Sequence, residues 1–120
     1  MSAEIQALEN ELNAMIVGRQ HREAFERFYA DDCTMQENSE PPTRGKEANR
    51  ERETQFFAML HEFHSIELLG SAVGDDISFS EWCNEMTLEG IGRVKTEQIA
   101  VRRWRDGRVV SERFYYKPGW

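Results

Sequence analysis

The chain has 120 residues and a formal net charge of −7, with 22 acidic and 15 basic side chains. This length fits a single domain over residues 1–120, and the acidic balance excludes nucleic acid as an electrostatic partner. No apolar run is long enough to span a membrane, and the polar, acidic N-terminal segment does not resemble a signal peptide, so we expect a cytoplasmic protein with no membrane partner.

Three helices and one short strand are predicted in the first half of the chain. Apolar residues recur at helical spacing from Ala3 to Val17 and from Gly45 to Phe63, and a shorter helix is predicted from Gln20 to about Tyr29. Residues 33–37 alternate as a strand does, and the Pro41-Pro42 pair makes the segment after them a loop.

Four consecutive strands, and so three hairpins, are predicted in the second half. They run over Ser65–Val73, Asp76–Leu88, Arg93–Arg105 and Arg108–Tyr116, with turns at Gly74-Asp75, at residues 90–92 and at Asp106-Gly107. A shift in the apolar phase between Phe79 and Trp82 predicts a β-bulge there. This order of elements indicates an α+β domain, with N-terminal helices packed on one face of a curved antiparallel sheet.

The last hairpin allows its register to be predicted. Asp106-Gly107 suits a two-residue turn with positive φ at both positions, which pairs Arg105 with Arg108. One face of the hairpin then carries Ile99, Val101, Arg103, Val110, Glu112, Phe114 and Tyr116, and the other carries Ala100, Arg102, Trp104, Val109, Ser111, Arg113 and Tyr115. Arg103 and Glu112 are the two ionisable groups on the first, otherwise apolar face, and as diagonal neighbours they are close enough to pair.

Three segments in this order resemble the SnoaL-like group of the nuclear-transport-factor-2-like (NTF2-like) superfamily. They are Phe28-Tyr29-Ala30-Asp31-Asp32-Cys33, then Gly45-Lys46-Glu47 opening a helix, then Arg103-Trp104-Arg105-Asp106-Gly107-Arg108-Val109. The resemblance covers nearly the whole chain. It implies a cone-shaped domain whose helices and curved sheet enclose a pocket, and a homodimer joined through the sheet. It does not fix the chemistry, because this fold hosts isomerases, cyclases, dehydratases, epoxide hydrolases and non-catalytic proteins.

The resemblance implies one catalytic position and leaves others unfilled. The general-base aspartate of the related ketosteroid isomerases falls where Glu37 stands, whereas Asn13 stands in place of their oxyanion tyrosine. SnoaL-type cyclases use a histidine and an aspartate on the sheet, but the three histidines here lie on predicted helices. Epoxide hydrolases of the fold use an Asp-Arg-Asp set, which Arg103 and Glu112 match only in part. The alternative interpretation is that Glu37 is simply the first residue of a polar loop.

The predicted catalytic residues are therefore Glu112, Glu37 and Arg103. Two ionisable groups on an apolar face must pair if they are buried, and such a pair can move a proton and steady an oxyanion. A structural salt bridge, or a register slipped by one residue that turns both to solvent, would explain them as well. The predicted ligand-binding residues are Tyr116, Trp82, Glu85, Phe56, Leu60 and Phe114.

No metal or other cofactor is predicted. His61 and His64 fall three apart on a predicted helix without a third ligand, and Cys33 and Cys83 have no neighbouring cysteines, so two buried thiols are expected, with a single disulfide as the alternative.

Three functions stay open at this point. The protein is an isomerase, cyclase or hydratase that uses a carboxylate as acid or base on a small, largely apolar molecule, or a non-catalytic binder of such a molecule. The third is a dimerisation module whose outer sheet face includes Trp104, for which Trp104→Arg should yield monomers.

Overall fold

Three helices cover one face of a curved six-stranded sheet in the computed structural model, which describes residues 2–117. The helices are α1 (Ser2–Val17), α2 (His21–Phe28) and α3 (Lys46–Met59). The strands are β1 (Tyr29–Glu37), β2 (Thr43–Arg44), β3 (Leu60–Gly74), β4 (Ile77–Leu88), β5 (Gly92–Arg105) and β6 (Arg108–Tyr116). Within residues 2–117, every helix is too short or too polar to cross a membrane.

The sheet has the strand order β2-β1-β6-β5-β4-β3. Strands β3 to β6 form the predicted antiparallel meander, and the α+β class is confirmed. The sheet is mixed rather than purely antiparallel, because β1 pairs with β6 in parallel. Strand β1 is also longer than predicted and begins at Tyr29, directly after α2, so the chain passes from helix to strand without a loop.

The third helix ends four residues earlier than the apolar spacing predicts. Leu60 has extended backbone angles (φ −77°, ψ 120°) and already pairs with Leu88 of β4. Strand pairing therefore overrides the helical pattern at this junction. As a consequence His61 and His64 lie on β3, and the expectation that all three histidines are helical is wrong.

The turn of the last hairpin is confirmed, and the register beyond it is wrong. Asp106 (φ 53°) and Gly107 (φ 76°) both have positive φ, and Arg105 pairs with Arg108. One strand position further on, Trp104 pairs with Val109, but the next pair is Arg103 with Ser111 rather than with Val110. Val110 is thus the extra residue of a β-bulge. Each later residue of β6 therefore pairs with a residue of β5 one position away from the predicted partner, so Glu112 shares its face with Arg102.

Because of this bulge, Arg102 and not Arg103 lies on the inward face of the sheet. Arg102 is 1% exposed and pairs directly with Glu112, whereas Arg103 is exposed to solvent. Trp104 is also buried, at 3% exposure, so it belongs to the core and not to a dimer interface. Trp104→Arg would consequently test the stability of the fold and not its association.

Strand β4 is regular, and the bulge predicted between Phe79 and Trp82 is wrong. Ser78, Ser80 and Trp82 are all buried on the inward face, in strict alternation. The irregularities belong to the neighbouring strand β3, where the register shifts three times, once between Leu68 and Gly70. The apparent phase shift arose because two inward positions of β4 hold serine and an outward one holds Phe79, which is 40% exposed.

The core is divided into three buried clusters. The largest joins α1 and α2 to β1 and contains Leu12, Phe25 and Trp104, and a second, at the far end of the sheet, contains Met86 and Leu88. A third lies around Ile66, Trp82 and Ala100. Both cysteines are free thiols, as predicted, although only Cys33 is fully buried and Cys83 is half-buried.

Candidate active site

A cavity of about 400 Å³ lies between the three helices and the inward face of the sheet. Its volume falls in the range of small-molecule sites. Aromatic side chains from α2, α3, β3, β4 and β6 make up much of the wall: Phe25, Phe56, Phe57, Phe63, Trp82 and Phe114. Set into this wall are a few ionisable groups, which form three separate arrangements.

The first arrangement is a buried network centred on Arg102. Its Nε donates to Oε2 of Glu112 at 2.6 Å, and its Nη1 donates to Oε1 of Glu9 at 3.0 Å and to Oδ1 of Asn13 at 2.8 Å. Burial alone would lower the pKa of Arg102, but Tyr29, Glu112 and Glu9 around it raise that pKa. The guanidinium is thus a fixed positive charge between two carboxylates.

Helix α1 supplies the side of this network that faces away from the cavity. Glu9 and Asn13 follow Ile5 at intervals of four residues and therefore share its buried face. The Ser78 hydroxyl donates to Oε1 of Glu9 at 2.8 Å, and the Ser80 hydroxyl also donates to this carboxylate. Sequence reasoning missed Glu9, although its spacing from Ile5 was a usable signal.

Glu112 reaches the cavity together with Arg102 and Tyr29. Its Oε2 also accepts a hydrogen bond from the Tyr29 hydroxyl at 2.6 Å, and its side chain is only 2% exposed. Burial, and then the charge of Glu112, raise the pKa of Tyr29 well above its usual value, so the phenol remains a neutral donor. Oε1 of Glu112 accepts no hydrogen bond from residues 2–117 and is available to a ligand.

The second arrangement lies at the rim of the cavity around Glu37. Oε1 of Glu37 accepts from the Tyr116 hydroxyl at 2.7 Å, and Oε2 accepts from Nη2 of Arg52 at 2.7 Å. Partial burial and the bond to Glu37 raise the pKa of Tyr116 to about 12. With about a third of its side chain exposed, Glu37 has a hydrogen-bond partner on both oxygens, whereas Glu112 has partners on one oxygen only.

The third arrangement is the single carboxyl group of Glu53, on α3. It lines the cavity without a hydrogen bond to any other described residue. Burial, and then the nearby carboxylate of Glu112, raise the pKa of Glu53 to about 8. Sequence reasoning missed Glu53, although it precedes Phe56 by three positions and so shares the inward stripe.

Two further polar atoms face the cavity region without partners among the described residues. They are Nδ1 of His21 and Oδ1 of Asn84, both buried. His21 stacks on Phe63 with 5.0 Å between ring centroids, and burial, helped by Arg19, lowers the pKa of His21 to about 4. The imidazole is therefore neutral at physiological pH and can exchange hydrogen bonds with a ligand.

The structure brings most of the predicted site residues together and separates three from them. Glu112, Glu37, Tyr116, Trp82, Phe56 and Phe114 all line the cavity. Arg103 points to solvent because of the bulge at Val110. Glu85 lies on the outward face of the regular strand β4 and accepts from Arg93 at 3.3 Å, and Leu60 packs against the Met86 cluster. The catalytic and binding roles of the six cavity residues stay predictions.

The described residues contain no group of three or more His, Cys, Asp or Glu side chains placed to hold a metal ion. His61 contacts the carboxylate of Glu89, and Nε2 of His64 lies 2.6 Å from the Thr87 hydroxyl. The two imidazoles are thus engaged with different side chains of the opposite strand and turn.

A helix-covered curved sheet that encloses a cavity with buried ionisable groups defines the class of NTF2-like cone domains. A family model described as the SnoaL-like domain matches residues 4–116. The chain therefore belongs to the SnoaL-like family, and the resemblance inferred from its three sequence segments is confirmed.

Solved structures with the same fold carry different functional descriptions. A protein from Mesorhizobium loti, described as a candidate SnoaL-like polyketide cyclase and as a carbohydrate phosphatase, is 25% identical, with a TM-score of 0.85 over 93% of this chain and 98% of its own. A candidate SnoaL-like polyketide cyclase from Jannaschia sp. is 12% identical (TM-score 0.81; 97% and 87% covered). An LEH-like epoxide hydrolase from M. tuberculosis is 19% identical (TM-score 0.75; 97% and 84% covered). No functionally curated protein matches the sequence significantly.

Proposed function

We propose that the cavity is the active site of a small-molecule enzyme of the isomerase, cyclase or hydratase kind, in which Glu112 takes a proton from the ligand or from a water. One observation carries the proposal. Glu112 presents one free carboxylate oxygen to an aromatic cavity while Arg102 and Tyr29 hold the other oxygen in place. A base that is oriented and shielded from water in this way is typical of proton-transfer sites.

The surrounding residues would orient the ligand and exclude water. The aromatic wall fits a largely apolar molecule, and the unpartnered atoms of His21 and Asn84 can fix a polar group on it. Arg102 orients Glu112 through its Nε and is itself held in place, because its Nη1 donates to Glu9 and Asn13. Proton transfer to Oε1 then needs no movement of the protein side of the site.

Some neighbouring structures are described as enzymes, two as candidate polyketide cyclases and one as an LEH-like epoxide hydrolase. Epoxide hydrolases of this fold use an Asp-Arg-Asp set, and the Glu9–Arg102–Glu112 group has the same residue types with glutamates as the acids. Of these two carboxylates Glu112 is the one that lines the cavity, so it is the base of the proposed reaction.

Exchange of α-protons tests the proposal even while the natural substrate is unidentified. A panel of small cyclic ketones is incubated with the protein in D₂O, and deuterium uptake is followed by NMR. Glu112→Gln should lower the fastest enzyme-dependent exchange by about 100-fold or more, because loss of a general base costs at least that much. Glu85→Gln, on the outward face, is the matched control and should keep the wild-type rate. Full activity of Glu112→Gln would refute the assignment.

Non-catalytic binding is the second candidate, favoured by the hydrogen bonds that already hold the Arg102 network together. Nε and Nη1 of Arg102 donate to Glu112, Glu9 and Asn13, and Oε2 of Glu112 also accepts from Tyr29. A purely structural ion pair would be held in the same way. In that case native mass spectrometry would detect a bound small molecule that the protein releases chemically unchanged, and no ketone of the panel would exchange faster than in buffer.

We also propose that the protein is a homodimer joined through the outward face of the sheet. Phe79, Ile99 and Tyr115, on three adjacent strands, are each at least 40% exposed there, with Arg113 stacked on Tyr115 at 4.6 Å. Large apolar side chains grouped on a sheet face are typical of an interface.

Substitution at the centre of this outward face tests the dimer. Ile99→Arg should convert a dimer to a monomer at micromolar concentration, measured by light scattering after size exclusion, because it places a charge on the buried patch. Ala7→Arg, on the exposed side of α1, adds the same charge elsewhere and should leave the dimer intact. A monomeric wild-type protein would exclude the proposal.

A further inference from the structure

We infer that the ligand of this cavity carries a positively charged amino or ammonium group. The inference rests on the proposed function only in taking the cavity as the ligand site, and it names a substrate class that the proposal leaves open. Its basis is a surplus of carboxyl groups at the cavity, of which one, Glu53, has no counter-ion among the described residues, together with an aromatic wall.

Four carboxyl groups lie at the cavity or directly behind its wall, against two guanidinium groups. They are Glu9, Glu37, Glu53 and Glu112, against Arg52 and Arg102. Arg52 is bound by Glu37, and Arg102 is shared by Glu9 and Glu112. His21 does not add a positive charge at physiological pH, because its pKa lies near 4. A neutral ligand would leave this surplus as it is, whereas a ligand with one positive charge would reduce it.

Glu53 is the group that such a ligand would meet. The charged or titratable groups around it are Arg22 and Glu26 on α2, Arg52 on its own helix, Tyr29 on β1 and Glu112 on β6. Arg22 lies over the ring of Phe57 at 5.1 Å, and Arg52 is committed to Glu37. Neither cation therefore pairs with Glu53, which stays protonated near neutral pH until a positive charge displaces its proton.

The aromatic wall favours a cation over a neutral acceptor as the partner of Glu53. Alkylammonium groups bind well against the faces of Trp, Phe and Tyr rings, which keep the charge in an apolar setting and attract it electrostatically. Trp82, the strongest ring of this kind, lines the cavity and is 2% exposed. A carboxyl group set among such rings matches a substituted amine in both charge and surface.

Choline and its uncharged isostere 3,3-dimethylbutan-1-ol test the inference. The pair differs in one atom, a quaternary nitrogen in place of a quaternary carbon, and choline has no titratable group near neutrality. We expect isothermal titration of the wild-type protein at pH 7.5 to show at least about tenfold tighter binding of choline. Choline affinity should rise between pH 6 and about 8 and level off above it, as Glu53 loses its proton more easily.

Glu53→Gln should abolish the pH dependence and leave only the weaker preference for choline that the aromatic rings supply, while Glu51→Gln, exposed on the same helix, should retain the full preference and its pH dependence. Any of three results would overturn the inference: equal affinities of the wild-type protein for the two probes, no choline binding at about 10 mM, or a preference that Glu53→Gln leaves undiminished. Normal choline binding combined with undiminished proton exchange by Glu112→Gln would refute the proposed chemistry and leave the ligand class intact.

Discussion

Arg102→Met is expected to destabilise the protein by about 3–5 kcal/mol, measured by denaturant unfolding at pH 7.5. The substitution conserves most of the side-chain length and removes the charge, so that Glu9 and Glu112 remain buried without a cation. Removing one partner of a buried ion pair is far more costly than replacing the whole pair, because the remaining charge is unsolvated.

Arg103→Met is the matched control, since it makes the same chemical change one residue away on the exposed face. We expect it to change stability by no more than about 0.5 kcal/mol. The pair of variants therefore decides between the two registers of the last hairpin. Equal effects of the two substitutions, or a larger effect of Arg103→Met, would show that the bulge at Val110 is misplaced.

Glu53→Gln is expected to stabilise the protein by about 3 kcal/mol at pH 9 relative to pH 5. Burial and the charge of Glu112 raise the pKa of Glu53 from 4.5 to about 8 in the folded state. A carboxyl group whose pKa is raised by folding contributes fully to the stability of the folded protein below its unfolded pKa, here 4.5. That contribution is lost as the pH rises through the folded pKa, here about 8. Each unit of the shift is worth about 1.4 kcal/mol, and water entering the cavity will offset part of the total.

The comparison is made between variants at each pH, because other groups titrate in the same range. Folding lowers the pKa of His21 from 6.5 to about 4, so the protein loses stability as the pH falls below 6.5. This loss is the same in Glu53→Gln and in the wild type. Glu51→Gln should follow the wild-type profile. Parallel profiles of Glu53→Gln and the wild type from pH 5 to 9 would show that Glu53 is ionised normally.

Most of the fold could be predicted from the sequence because its signals are local. Asp106-Gly107 fixes a turn by its φ preferences, and the helical stripe from Ala3 to Val17 needs no other part of the chain to be recognised. The bulge at Val110 has no such signal, since a valine there fits either register. A single extra residue nevertheless turned Arg103 outward and Arg102 inward.

The site could be predicted only where one strand determined it. Glu112, Phe114 and Tyr116 alternate along β6 and were placed correctly on the inward face. Glu9 and Glu53 were missed because each is one charged residue among many on its helix, and the helix packing decides which of these turn inward. Charged side chains of this kind are buried only where tertiary partners or a ligand compensate them.

The position of a bound ketone relative to Glu112 decides whether the cavity is an active site of the proposed kind. The measurement is a crystal structure of the protein with the ketone that exchanges fastest. We predict that the ketone lies inside the cavity, with its α-carbon about 3–3.5 Å from Oε1 of Glu112 and Arg102 behind the carboxylate. A ketone bound only on the outward face of the sheet, or an inward face that carries Arg103 in place of Arg102, would contradict the proposal.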